Sequence, residues 1–203
     1  LQSWCDLYVD IYNDVDDIVT KIKDSGIRFC PDVQKIFKCF SYFEVLETKV
    51  IIVGQDPYHT ENTATGLSFQ SNNPKKPPSL KNIFNAIQNK FPNATCDIES
   101  WAKQGVLMFN RALTVEMNKP NSHTKLWTPV SDKMIKLLAE YMKANNKKLV
   151  FMLWGNNAKE LVKFIDKDYH IILTHTHPSP LSRRTFHDCD HFSECNKLYE
   201  IIW

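Results

Sequence analysis

Four short apolar runs without polar alternation limit the folds open to this chain more than any other feature. They occupy residues 50–53, 106–109, 149–153 and 171–174. Such runs are typical of strands that are buried on both faces, as in a parallel sheet. Between and beside them, at residues 80–91, 134–142 and 161–165, apolar residues recur with the three-to-four-residue period of a helix. This alternation predicts an α/β fold of three layers, α/β/α, with a central, mostly parallel four-stranded sheet.

Both ends of the chain are predicted to be helical as well. Apolar residues between Trp4 and Ile22 fall three and four positions apart, which predicts one amphipathic opening helix. A last helix is predicted from Phe192 to Ile202. Asn157 followed by Glu160 resembles a capping box, which predicts a helix start at Asn157. No linker-like stretch divides the 203 residues, so we expect a single domain spanning 1–203.

Composition narrows the class of protein. The shares of hydrophobic residues (43%) and charged residues (24%) are ordinary for a globular chain, and no apolar run is long enough for a membrane span. The six cysteines form no C-x-x-C pair, and no signal-peptide pattern opens the chain. We therefore expect an intracellular protein of the nucleus or cytoplasm, and we expect it to be a monomer. Because the net charge is only +2, nucleic acid would have to be attracted by local basic loops.

Polar loops follow each of the four predicted strands. They are Gly-Gln-Asp-Pro-Tyr-His at 54–59, Asn110, Trp-Gly-Asn-Asn at 154–157 and His-Thr-His-Pro-Ser-Pro-Leu-Ser at 175–182. In an open parallel sheet, ligands bind in the crevice beyond the carboxyl ends of the strands. The four loops therefore predict one ligand site at a single edge of the sheet.

Residues 54–59, 77–80 and 177–182 resemble motifs of family 1 uracil-DNA glycosylases. The resemblance extends from residues 3–4 through 101–107 and 121–123 to 189–193. It implies an enzyme that flips uracil out of single- or double-stranded DNA and hydrolyses its N-glycosidic bond. The product would be an abasic site for base excision repair. The resemblance implies no cofactor and no metal, and as partners it implies uracil-containing DNA and either a proteinaceous uracil-glycosylase inhibitor or replication proteins.

Two residues carry the chemistry in this interpretation. Breaking the glycosidic bond gives the sugar oxocarbenium character, which a carboxylate can stabilise while it orients water. By resemblance Asp56 is that carboxylate, although an aspartate before Pro57 standing alone indicates a turn. Uracil can leave as a delocalised anion, so one hydrogen-bond donor replaces the second acid. His177 resembles that donor to uracil O2, as a neutral imidazole, whereas an isolated histidine is more often structural.

Four further residues are predicted to bind uracil. Tyr58 would fill the space beside uracil C5 and exclude the methyl group of thymine. The Asn110 amide would pair with N3–H and O4, and cytosine would leave those groups unpaired. Phe69 resembles the aromatic residue on which the base stacks, and Gln55 resembles a backbone contact. Without the motifs, core packing would be the better interpretation of both aromatic residues.

DNA contacts are predicted in three loops by the same resemblance. Backbone N–H groups at a helix start can hold a phosphate, and an apolar side chain can enter the gap left by a flipped base. The residues are Pro77, Pro78, Ser79, Gly155, Asn156, Ser179, the wedge Leu181 and Arg183. The chain departs from the family at Thr60 (usually glycine), Asn156 (usually serine) and residues 185–188. Because Asp188 and Asp190 add negative charge there, we expect reduced affinity for duplex DNA.

Two other classes stay open on the sequence alone. His175-x-His177 and the histidines and cysteines at 187, 189, 191 and 195 are residue types that zinc accepts, which would suit a metal hydrolase or zinc module. A noncatalytic DNA-binding or scaffold protein could share the same fold. Bound zinc or inhibition by a chelator would favour the first class, and failure to cleave uracil-containing DNA the second.

Overall fold

The computed structural model describes residues 1–182 and 186–203. Its strands are β1 (Phe29–Cys30), β2 (Val50–Gly54), β3 (Val106–Asn110), β4 (Val115–Glu116), β5 (Val150–Trp154) and β6 (Ile171–His175). β2, β3, β5 and β6 form one parallel sheet in the order β3-β2-β5-β6. β1 and β4 form a separate antiparallel pair, which the sequence did not predict.

The strand register brings the carboxyl ends of the sheet to one level. Gly54 at the end of β2 pairs with Asn110 at the end of β3, and Trp154 of β5 pairs with His175 of β6. The loops that follow these strands therefore start side by side, as the parallel sheet predicts.

Seven α-helices are found in the described ranges, and their bounds follow. They are α1 (Gln2–Leu7), α2 (Tyr12–Asp24), α3 (Pro78–Gln88), α4 (Ile98–Lys103), α5 (Thr124–Ala144), α6 (Gly155–Lys159) and α7 (His191–Asn196). Every residue of β2, β3 and β5 is buried, which requires cover on both faces of the sheet. The α/β fold with helices flanking a parallel four-stranded sheet is confirmed.

Four local predictions were wrong. β6 is not buried on both faces, because four of its residues are only partly buried and Thr174 is exposed. Edge position alone does not explain this, since the other edge strand, β3, is buried throughout. The opening helix is interrupted after α1 by a 3₁₀ turn at Val9–Ile11, which buries Ile11 and exposes Val9. Asn157 does not cap a helix but lies within α6, because the Glu160 carboxylate binds Arg111 instead. In addition, α7 ends at Asn196, earlier than predicted.

Within residues 1–182 and 186–203, no helix combines the length and the apolar character needed to cross a membrane.

Candidate active site

A pocket of about 420 Å³ lies at the carboxyl ends of β2 and β3. Among its lining residues are nine of the predicted site residues: Gln55, Asp56, Tyr58, Phe69, Ser79, Asn110, His177, Ser179 and Leu181. Gly155 and Asn156 instead line a smaller adjoining cavity of about 190 Å³, which shares Gln55 and His177 with the main pocket. A cavity of about 380 Å³ near residues 23–33 contains none of the predicted residues. The sequence motifs therefore converge on one site.

Asp56 receives a hydrogen bond from the backbone of a distant turn. The Asn121 N–H donates to Asp56 Oδ2 over 2.7 Å, and the Gln55 side-chain amide donates to Asn121 Oδ1. Burial raises the pKa of Asp56 above its ordinary value, while the Asn121 N–H and the charge of His59 oppose that shift. One carboxylate oxygen is thus held in place by a donor that favours the ionised form.

Asn121 belongs to a stretch that resembles the family, but its contact with Asp56 was not predicted. Its φ of 65° is left-handed, a conformation that asparagine tolerates better than most residues. Because the donor is a backbone N–H, no side-chain chemistry signals it in the sequence. In the sequence, the only indication of an unusual turn here is that Asn121 is an asparagine, a residue that accepts a left-handed φ.

The tautomer of His177 follows from a single contact. The backbone N–H of Ser179 donates to His177 Nδ1 over 3.0 Å, so Nδ1 must be an unprotonated acceptor. A neutral ring then carries its proton on Nε2. Burial lowers the pKa of His177 and favours that neutral form. The site therefore offers an uncharged N–H donor.

Asn110 forms part of the inner wall of the pocket. The residue is 6% exposed, and its Oδ1 has no hydrogen-bond partner among the described residues. A Cβ at Gly54 would lie 2.2 Å from that oxygen. The glycine opposite Asn110 therefore leaves the amide room to lie over the end of β2.

Tyr58 and Phe69 are joined through the backbone. The Tyr58 hydroxyl donates to the Phe69 carbonyl over 3.2 Å, and burial raises the pKa of Tyr58 to about 12, so the hydroxyl stays protonated. Phe69 has a left-handed φ of 62°, an uncommon conformation that is concentrated at functional sites. Its ring centroid lies 5.6 Å from that of Trp154 and 6.1 Å from that of His177.

The predicted DNA-contact loops surround the pocket. Pro77 precedes α3, Pro78 is its first residue and Ser79 its second. The side-chain amide of Asn82 donates to the Pro178 carbonyl over 2.7 Å and so ties α3 to the 177–182 loop. In that loop Leu181 is 95% exposed. Arg183 lies outside the described residues.

The residues suggested as zinc ligands are engaged otherwise. His191 Nδ1 accepts from Trp154 Nε1 over 3.0 Å, and burial lowers the His191 pKa to about 4. Burial also raises the pKa of Cys189 and Cys195 to about 12. The described parts of the chain contain no group of three or more histidine, cysteine or acidic residues arranged to hold a metal ion.

The chain is similar to known proteins over most of its length. Residues 40–199 match the family model of the uracil DNA glycosylase superfamily. A uracil-DNA glycosylase of Campylobacter jejuni (strain RM1221) is 48% identical over 184 residues, which cover 88% of this chain and 78% of the relative. One from Aliarcobacter butzleri is 41% identical over 205 residues, 95% of this chain and 93% of the relative.

Solved structures give the same result for the fold. The crystal structure of mimivirus uracil-DNA glycosylase superposes with a TM-score of 0.85 at 26% identity, covering 99% of this chain and 85% of that one. A mimivirus UNG variant, Y322L, in complex with UGI gives a TM-score of 0.84 at 27% identity, covering 97% and 83% of the two chains. The UNG of Nitratifractor salsuginis, at 17% identity over 96% of this chain and 88% of that one, shares the fold with a TM-score of 0.67.

Proposed function

Since the chain belongs to the uracil DNA glycosylase superfamily and is a uracil-DNA glycosylase of base excision repair, we propose that Asp56 and His177 are its catalytic residues. The reaction replaces the N-glycosidic bond between uracil and deoxyribose with a bond from the sugar to water. As the base departs, positive charge develops on the sugar and negative charge on uracil. The site needs one group for each charge.

Asp56 supplies the negative charge. Its carboxylate stabilises the oxocarbenium character of the sugar and orients the attacking water, whose proton it can accept. The Asn121 N–H fixes Oδ2 at 2.7 Å, which leaves Oδ1 for the water. Partial burial strengthens the electrostatic effect because little solvent screens the carboxylate.

His177 stabilises the leaving base. With Nδ1 engaged by the Ser179 N–H, the neutral ring presents Nε2–H, which donates to uracil O2 as negative charge develops there. A neutral donor gives the anion a hydrogen bond without requiring a buried imidazolium, whose formation burial opposes. This fixed tautomer beside Asp56 in one pocket is the single observation that carries the assignment.

The remaining pocket residues select the base. The unpartnered Asn110 Oδ1 accepts from uracil N3–H while the amide nitrogen donates to O4, so cytosine leaves these buried groups unpaired. The Tyr58 ring occupies the space beside C5 that a thymine methyl group needs. Phe69 stacks on the flipped base, and the Gln55 backbone contacts it.

Three loops bind the DNA backbone in this proposal. Pro77, Pro78 and Ser79 at the start of α3 hold one phosphate, Gly155 and Asn156 a second, and Ser179 a third. Leu181 projects from the protein and fills the gap left by the flipped base, and Arg183 adds positive charge beside it. We further propose that the chain is a monomer of one domain. Its six free thiols favour an intracellular compartment. We also propose that it binds a proteinaceous inhibitor, as the mimivirus UNG variant binds UGI.

Cleavage of a uracil-containing oligonucleotide with a chelator present tests the proposal. Wild-type protein should release free uracil and leave an alkali-labile abasic site, whereas His177→Ala should bind DNA but turn over far more slowly. Asp17→Asn, on the exposed surface of α2, serves as the control and should match wild type. An absolute requirement for a divalent metal, or a His177→Ala defect confined to binding, would contradict the assignment.

A further inference from the structure

Arg111 carries a buried charge that the proposed reaction does not use. It follows Asn110 directly, and the residue is 2% exposed. Its Nε and Nη2 donate to the two carboxylate oxygens of Asp132 on α5, over 2.7 and 2.8 Å. This bidentate geometry fixes both the position and the plane of the guanidinium.

The same guanidinium also reaches α6, the helix that follows β5. Arg111 Nη1 donates to the Asn157 carbonyl over 2.7 Å and to Glu160 Oε2 over 2.7 Å. Asn157 directly follows Gly155 and Asn156. The backbone N–H of Arg111 donates to the Gly54 carbonyl over 2.9 Å. One residue therefore connects the end of β2, the end of β3, helix α5 and the first turn of α6 at residues 155–157.

Stability alone is a poor explanation for this arrangement. Desolvating an arginine and a carboxylate costs several kcal/mol, and apolar residues of similar volume often stabilise a core as well or better. Arg111, Asp132 and Glu160 do not line the pocket, so any effect on the reaction must act through their neighbours. Those neighbours are Asn110 on one side and the first turn of α6 on the other.

We propose that Arg111 is a positioning residue that holds the uracil-recognising amide of Asn110 at a fixed distance from the phosphate-contacting first turn of α6, residues 155–157. This inference rests on the function proposed above for Asn110, Gly155 and Asn156. Binding energy from a remote phosphate accelerates bond cleavage only if the phosphate site and the base pocket keep a fixed geometry. Arg111 supplies that rigidity by anchoring both to one planar group.

The test compares two single-stranded substrates. One is an ordinary uracil oligonucleotide, and in the other the linkages flanking the deoxyuridine are uncharged methylphosphonates. The kcat/KM of the ordinary substrate divided by that of the methylphosphonate substrate measures how strongly the flanking phosphates assist catalysis. Arg111→Lys keeps the positive charge but lacks the planar fork, and it should lower this ratio about tenfold relative to wild type.

Two further variants separate positioning from stability. Glu160→Gln removes one partner whose side chain is 60% exposed, so the fold should be retained, and the ratio should fall about threefold. Leu138→Ala leaves a cavity in α5, where Leu138 is fully buried, and should lower thermal stability without changing the ratio. If Arg111→Lys does not fold, Glu160→Gln decides the question.

The outcomes distinguish this inference from the function on which it rests. A wild-type protein that does not prefer charged linkages would refute the proposed phosphate contacts, and the role of Arg111 with them. A wild-type preference that persists in the folded Arg111 and Glu160 variants, with both substrates slowed equally, would overturn the positioning role alone.

Discussion

Gly54→Ala is the substitution whose consequence can be worked out most directly from the structure. The added Cβ would lie 2.2 Å from Asn110 Oδ1 and 2.9 Å from Ser68 Cβ. Gly54 does not have a left-handed φ, so alanine is compatible with its backbone and the effect comes from contact alone. Ser68 Cβ is fixed to its own backbone, and the Asn110 amide must therefore move.

The expected magnitude combines strain and lost recognition. Inserting a methyl group into a packed core costs roughly 1–3 kcal/mol of folding stability. A displaced amide loses its hydrogen bonds to uracil, each contributing about 1 kcal/mol. A loss of about 2 kcal/mol in transition-state binding lowers kcat/KM roughly 30-fold.

Uracil release from a single-stranded oligonucleotide measures this loss, and thermal unfolding measures the strain. Gly26→Ala is the matched control because its Cβ would meet no atom within 4 Å, although its φ is +65°. It should cost about 1 kcal/mol of stability and leave activity unchanged.

A double-mutant cycle identifies the cause of the effect. If the clash with the Asn110 amide is responsible, Gly54→Ala should cost little further activity in an Asn110→Ala background. Activity of Gly54→Ala within about threefold of wild type, or strictly additive losses in the cycle, would refute the reasoning.

Other predictions follow from the same pocket. Asp56→Asn should retain DNA binding but slow turnover by roughly two to four orders of magnitude, and near-wild-type turnover would remove Asp56 from catalysis. Burial raises the pKa of Asp56 in the folded protein above 3.8. The stabilisation that the protonated Asp56 carboxyl gives the fold is therefore complete below pH 3.8, and it is lost as the pH rises through the raised pKa of the folded state. Asp56→Asn should therefore be more stable than wild type to urea at neutral pH but not near pH 3, and equal stabilities at both would contradict the raised pKa. Tyr58→Ala should gain release of thymine and Asn110→Asp release of cytosine, and two folded variants without either activity would show that the base-selecting residues are misassigned. Leu181→Ala should slow cleavage of duplex DNA by roughly one to two orders of magnitude and that of single strands much less, with partial rescue by an abasic site opposite uracil. Equal losses on both substrates would assign Leu181 to loop structure.

The sheet was predictable because its strands have a strong local pattern. β2, β3 and β5 are continuous apolar runs and are buried throughout. β6 has a similar run, yet its residues are only partly buried and Thr174 is exposed, whereas β3, which is also an edge strand, is buried throughout. A sequence pattern reports which residues can be buried, but the helices and loops that cover a strand are set by the tertiary fold, which the pattern does not contain.

The pocket was predictable to the extent that it uses side chains. Asp56, Asn110 and His177 come from separate strand ends, and the parallel register alone brings them together. The Asn121 N–H and the left-handed φ of Phe69 are backbone features that have no distinct residue type. They depend on the folded loop as a whole.

Asn157 and Glu160 show how a local pattern can mislead. Their spacing matches a capping box, but the Glu160 carboxylate binds Arg111, which is 49 residues away in the chain. A charged partner in the folded core attracts the carboxylate more strongly than a helix-end N–H does. The sequence contains both residues but does not show their proximity.

The unpartnered Asn110 Oδ1 has a consequence for the working life of the enzyme. A bound base that donates to this oxygen favours the folded enzyme, so free uracil should protect the resting enzyme against heat. An apolar residue in place of Asn110 would remove the cost of burying a polar amide and would abolish recognition. Laboratory evolution for heat resistance alone would therefore tend to select against this asparagine unless uracil release is also screened in every round.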